Sequence, residues 1–198
     1  MDKNQVILDV KVAGEPIEVK SYGVEKIYEV DLEYKYSDTK TNTIQVHYPS
    51  GVVTNELKKG DFITVEGELR SLRHTVDDGK EVTKIYILAK KITLLESEPE
   101  QYRNHVRLTG KLTREPVFGT TSGDNTSVFS SFSLRVDRKY NKFSILPCVV
   151  WGNKVNLMRD FEKGSELEIC GFVTSHFTSN DYLIVNVSVS FIDVATKE

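Results

Sequence analysis

The sequence predicts an all-β protein in which one structural unit is written twice. Three observations carry that expectation. The 198 residues hold 24 Val, 12 Ile and 16 Thr against 3 Ala. Branched side chains lose rotamer freedom in a helix and pack well on a pleated surface, whereas Ala is the best helix former. Apolar residues alternate with polar ones in repeated short runs, the period of strands with one buried face. The chain also resembles itself: Asn4, Val6, Leu8, Val12 and Glu15-Pro16-Ile17 return 100 positions later as Asn104, Val106, Leu108, Leu112 and Glu115-Pro116-Val117. Order and pattern agree through both copies, which is the signature of a structural repeat.

The elements follow in order. Each copy opens on an alternating strand (Val6, Leu8, Val10, Val12; Val106, Leu108, Leu112) that an Xaa-Pro turn ends. A second and third strand come next, in the later copy Phe132, Leu134 and Val136, then 143–151. In GNKVNLMRDFEKG, Val155, Met158 and Phe161 share a face and Gly164 closes the segment, which predicts a short helix over 153–162. GVVTNELKKG, closed by Gly60, is a poorer counterpart and predicts a shorter turn over 51–58. Here the offset is 104, with Val65, Gly67 and Leu69 set against Ile169, Gly171 and Val173. Strands 62–72 with 85–95, and 167–177 with 182–194, close the copies through the turn formers DDG and SND.

Five strands with a short helix between the third and fourth describe the OB-fold, a small partly open barrel. The polar bridge ESEPEQYRN is short enough to be a linker. The chain therefore reads as two tandem OB-fold barrels, 1–97 and 103–198.

Several function classes are disfavoured. The most apolar stretch, 182–192, is broken by Asn186, Ser188 and Ser190 and is far shorter than the roughly 20 residues of a spanning helix. MDKNQVILDVKV lacks the apolar centre of a secretory signal. Cys148 and Cys170 form no CxxC and no His/Cys pair at ligand spacing, so no disulfide framework and no metal site are expected. His47, His74, His105 and His176 are scattered, Asp77-Asp78 belongs to a turn, and no phosphate loop or nucleophile elbow occurs. A cytoplasmic, non-catalytic protein without a cofactor is expected.

The second copy resembles the bacterial single-stranded DNA-binding proteins and the PriB-type primosomal replication proteins. NHVRLTGKLTREPVF, CVVWGNKV, LMRDFEKGSELEICGFV and SVSFIDV carry the resemblance, which covers nearly all of 103–195. The first copy shares only the frame: HYPSG stands where the second has VWGNK. The sequence ends on Val194-Ala195-Thr196-Lys197-Glu198, so the long acidic-tipped tail that such proteins use to recruit partners is not expected here. The resemblance implies binding of single-stranded DNA, or RNA, in replication, recombination or repair. It also implies replication proteins as possible partners and a homo-oligomer; with two barrels per chain, a dimer is favoured.

Charge separates the copies. The net charge of −3 divides into 14 basic and 19 acidic residues over 1–100, and 12 basic and 10 acidic over 101–198. A polyanion is bound by local positive charge that releases its counterions, so the second copy is the candidate surface. Its densest basic run is Arg135, Arg138, Lys139 and Lys142, interleaved with Tyr140 and Phe143. If Phe132, Leu134 and Val136 point inward, Arg135 points outward. Cations along a groove track phosphates while aromatic faces stack bases. Arg107, Lys111 and Arg114 extend the path.

Trp151 stands, by the resemblance, where the family stacks an aromatic on a base, with Lys154 completing its aromatic-Gly-Lys motif. The neighbours Val149 and Val150 leave a core Trp open. His176 and Phe177 fall in another stacking region of the family or else form part of a hairpin. Ile145 and Thr178 stand where the family often has aromatics, which implies weaker binding. In the first copy Tyr34, Tyr36, His47 and Tyr48 lie among Asp31, Glu33 and Asp38, and packing is the favoured reading there.

Overall fold

The computed structural model describes residues 3–37, 40–75, 79, 81–122, 126–179 and 181–195. Asp38, Asp77, Asp78 and Asn180 of the expected turns and acidic run lie outside the described residues, as do the side chains of Tyr36 and His74. The described chain is β throughout, apart from short helical turns. Its strands are β1 (Asn4–Val12), β2 (Ile17–Tyr22), β3 (Glu25–Ser37), β4 (Lys40–Pro49), β5 (Phe62–Thr75) and β6 (Glu81–Leu94). The second series is β7 (Asn104–Leu112), β8 (Val117–Thr120), β9 (Val128–Asp137), β10 (Phe143–Trp151), β11 (Glu166–Phe177) and β12 (Leu183–Val194). None of the helices among these residues is long and apolar enough to cross a membrane.

The chain forms two compact units. The first contains Gln5–His105 and Ser175–Val185; the second contains Met1–Asn4, Val106–Thr174 and Asn186–Glu198. In the first unit β1 pairs with both β3 and β5, so β1, β3, β4, β6 and β5 form a closed circuit with β2 attached to β3. In the second unit β7 pairs with both β9 and β11, and β8 is attached to β9. The parallel pairs also correspond, β4 with β6 and β10 with β12.

The repeat holds at the level of register. Val6 faces Gly67 as Val106 faces Gly171, and Lys11 faces Glu33 as Lys111 faces Arg135. A Cβ on Gly67 would collide with the carbonyl oxygen of Leu88, and one on Gly171 with that of Ser188. Both glycines are therefore required by the same close approach of neighbouring backbones. Alternation along these strands sends Leu8, Leu32, Ile44 and Ile63 into one core and Leu108, Phe132, Leu134 and Leu146 into the other. Tyr34 and Tyr48 join the first core, in keeping with packing rather than ligand contact.

One expectation needs correction and a second is refined. Among the described residues each copy has six strands instead of five, because β2 and β8 start directly after the prolines. Their apolar residues Ile17, Val19, Val117 and Phe118 are exposed, so they lack the inside-outside alternation that marks a half-buried strand. The helix expected over 153–162 is a 3-10 segment, Gly152–Asp160, which buries Val155 and Met158. The spacing of Val155, Met158 and Phe161 is three, the period of a 3-10 helix itself. In the first copy only Ser50–Val52 is helical within and beside the expected 51–58.

Candidate nucleic-acid interface

The candidate interface lies on the β9–β10 ribbon of the second unit. Phe132, Leu134 and Val136 of β9 are buried, as are Leu146, Cys148 and Val150 of β10. The alternate residues consequently share the outward face. Register aligns them in rows: Asp137 with Phe143, Arg135 with Ile145, Ser133 with Pro147, Ser131 with Val149, and Phe129 with Trp151. Eight steps from Phe143 to Trp151 make a face about 27 Å long.

One end of this face is cationic and aromatic together. The Arg135 guanidinium lies 4.4 Å from the centroid of the Phe143 ring, and its Nε donates to Asp137 Oδ1 at 2.8 Å. Lys111 of β7 is the register partner of Arg135, so two cations stand side by side. Beyond them the chain turns through Tyr140 (φ 61°) and Asn141 (φ 54°). Such left-handed backbone is uncommon for a bulky residue. The turn is closed by a hydrogen bond from Arg138 N to Lys142 O at 2.7 Å and braced by Arg138 Nη2, which donates to Phe143 O at 2.9 Å. The result holds the Tyr140 ring in solvent, 91% exposed, between exposed Lys139 and Lys142.

The other end is aromatic. Phe129 and Trp151 have ring centroids 5.3 Å apart and planes tilted by 49°. Phe129 faces Gly119 of β8, where a Cβ would lie only 2.7 Å from the ring, so the glycine leaves room for it. Trp151 is 44% exposed and is not a core residue. Lys154 is exposed in the 3-10 segment that follows. Arg159, in the same segment, places its guanidinium 5.1 Å from the Phe118 ring.

Other expected residues are placed differently. The Arg107 Nε donates to Glu168 Oε1 at 2.6 Å, and Lys3 lies 3.4 Å from the same carboxylate. Arg107 thereby holds the Glu168 carboxyl below its ordinary pKa, and much of its charge is answered within the protein. His176 and Phe177 are exposed but belong to the first unit, within Ser175–Val185. The sequence reading missed Phe129; register with Trp151 is the signal that brings it to the face.

Register also identifies the corresponding face of the first unit. Since Glu33 occupies the place of Arg135, Asp31 and Glu29 occupy those of Ser133 and Ser131. His47 stacks on Tyr86 with centroids 4.2 Å apart and lies 2.6 Å from Glu29. Burial lowers the His47 pKa against the opposing pull of Glu29. One scaffold thus presents an aromatic face with Arg135 in one unit and an acidic face in the other. Among the described residues no group of three or more His, Cys, Asp or Glu is arranged to hold a metal ion.

No protein-family model matches the sequence, and no curated protein matches it. Among solved structures, a deletion mutant of the single-stranded DNA binding protein from Thermus aquaticus is similar with a TM-score of 0.81 and 21% identity, over 100% of this chain and 96% of that one. The wild-type protein from the same organism gives 0.77 at 21% identity, over 100% and 95% of the two chains. The N-terminal domain of PriB from Thermoanaerobacter tencongensis aligns with 48% of this chain and 98% of its own at 26% identity, with a TM-score of 0.39. Along its whole length, then, the chain has the all-β, OB-type fold of the Thermus aquaticus single-stranded DNA binding protein.

Proposed function

We propose that the protein binds single-stranded nucleic acid, DNA in preference to RNA, on the outward face of β9 and β10, without catalysis and with little sequence preference. The observation that carries this reading is the joining of Arg135–Phe143, the Tyr140 turn and Phe129–Trp151 on one ribbon. Lys111, Arg135, Arg138, Lys139 and Lys142 would follow phosphates, with Lys154 at the far end. Tyr140, Phe143 and Trp151 would stack bases, a contact worth about 1–3 kcal/mol per base and indifferent to base identity. The names of the solved proteins that share the fold support the same reading. Ile145 and Thr178 in place of aromatics make weaker binding the expectation. Arg107 would add little because Glu168 answers it.

The wider role follows as part of this reading. The protein would act in DNA replication, recombination or repair in the cytoplasm, alongside replication proteins. Residues 103–198 would hold the strand, and 1–97 would serve association or docking within a homodimer.

Fluorescence of Trp151 tests the site, since it is the only Trp in the chain. Oligo(dT) should quench it, and the affinity should fall as salt rises. Replacing Arg138, Lys139 and Lys142 by Ala together should reduce the salt slope by about two units, at about 0.7 per single-strand phosphate contact. An unchanged slope would place the contacts elsewhere. No quenching at low salt would favour a protein whose OB-folds serve assembly alone.

A further inference from the structure

We propose that the first unit carries a separate binding cavity that takes a basic side chain, arginine above lysine, from a protein partner. This inference stands apart from strand binding by the second unit. The cavity has a volume of about 340 Å³ and lies on the acidic outward face of that unit. Such a volume is in the range of pockets that enclose a small ligand or an anchoring side chain. Asp31 of β3 and Gln45 of β4, which are register partners, line it. Phe177, Asp181 and Tyr182 also line it.

The polar groups select the ligand's charge. Asp31 and Asp181 bring two carboxylates to the cavity. Lys84 also lines it, but its ammonium lies 3.3 Å from Glu29, a carboxylate outside the lining. A phosphate would meet net repulsion here, whereas a cation would be drawn in. Gln45 Nε2 donates to Asp31 Oδ1 at 3.0 Å and orients that carboxylate. Gln45 Oε1 is buried and has no hydrogen-bond partner. A buried acceptor left unanswered is costly, and a donor entering the cavity would answer it once the Gln45 side chain turns toward it. A guanidinium carries five N–H donors in a planar fork and can serve Asp31 and a slightly shifted Gln45 together, which an ammonium does less well. The rings of Phe177 and Tyr182 add surfaces on which a planar cation can stack.

The walls are built before any ligand arrives. The Thr43 amide donates to Ser175 Oγ at 3.0 Å, and Asn42 Oδ1 accepts from the Ser175 amide at 3.4 Å. Within the lining hairpin, Thr178 N donates to Tyr182 O at 2.9 Å. The acidity is also no requirement of the fold, because the second unit has Ser133 where the first has Asp31. A preformed, acidic, part-aromatic cavity fits an exposed Arg on a basic protein segment.

The test uses the full chain and a dye-labelled peptide of alternating Arg and Gly, read by fluorescence anisotropy. The wild-type protein should bind it, and the Asp31→Asn/Asp181→Asn variant should bind at least about tenfold more weakly, the equivalent of one charged hydrogen bond. A peptide with citrulline for Arg keeps the shape and removes the charge; it should lose binding to the wild-type chain to a similar degree. Oligo(dT) affinity of the double variant should stay at or above that of the wild type. Equal peptide binding by wild type and variant would overturn the proposal, as would retention of the citrulline peptide. A loss of oligo(dT) affinity with intact peptide binding would also overturn it, by assigning the cavity to the strand path.

Discussion

At the scale of single residues, the first unit depends on a buried carboxylate. The Asp9 side chain is 3% exposed and accepts hydrogen bonds from Arg103 Nε and Nη2 at 2.8 Å, Arg103 N at 3.0 Å and Thr64 Oγ1 at 2.7 Å. Burial pushes the Asp9 pKa up, but these bonds outweigh it and hold the value below 3.8. A depressed carboxylate contributes stability that is complete above its unfolded pKa and is lost as pH falls through the folded one. The Asp9 contribution should therefore fade below pH 3.8, read as a falling urea midpoint. Arg103→Met should cost about 1–3 kcal/mol at neutral pH by leaving Asp9 short of donors, and less when Asp9→Asn is added. The sequence could not announce this clasp. Arg103 sits in a polar linker, 94 positions from Asp9, and nothing local marks either as a partner. Cys148 is a simpler case: it is buried and burial raises its thiol pKa, so a thiol reagent should reach it only after unfolding.

At the scale of elements, the sequence was legible wherever burial wrote a period into it. Alternation placed Phe132, Leu134 and Val136 inward and Arg135 outward, as observed. It was silent on β2 and β8, which bury little, and it could not separate a 3-10 from an α segment at a spacing of three. The paired glycines were visible as a repeat, but their reason lies between strands. Gly67→Ala and Gly171→Ala should each destabilise the protein by about 1–3 kcal/mol, because the new methyl meets a carbonyl oxygen of the next strand and the backbone must shift. Gly14 offers the contrast, since a Cβ there meets nothing within 4 Å; Gly14→Ala should leave the urea midpoint almost unchanged.

At the scale of the whole molecule, duplication of the frame went with divergence of the surface. The proposed homodimer belongs here, with the first unit contributing more to association than to strand binding. Light scattering on the intact chain should give about twice 22.5 kDa at micromolar concentration. A value near 22.5 kDa would exclude the dimer. Dimers formed by a 103–198 fragment alone would move the interface to the other copy.

The register equivalence of Glu33 with Arg135 makes each copy a control for the other. Glu29, Asp31 and Glu33 all point outward, so Glu29→Ser, Asp31→Ser and Glu33→Arg would recast the polarity of the first face without touching its core. If outward charge and not backbone shape decides which copy holds a strand, that transplant should lengthen the stretch of oligonucleotide occluded per chain. A family of such swaps, made one position at a time, would turn the internal repeat into a titration of how much charge a bare scaffold needs before it takes up a strand.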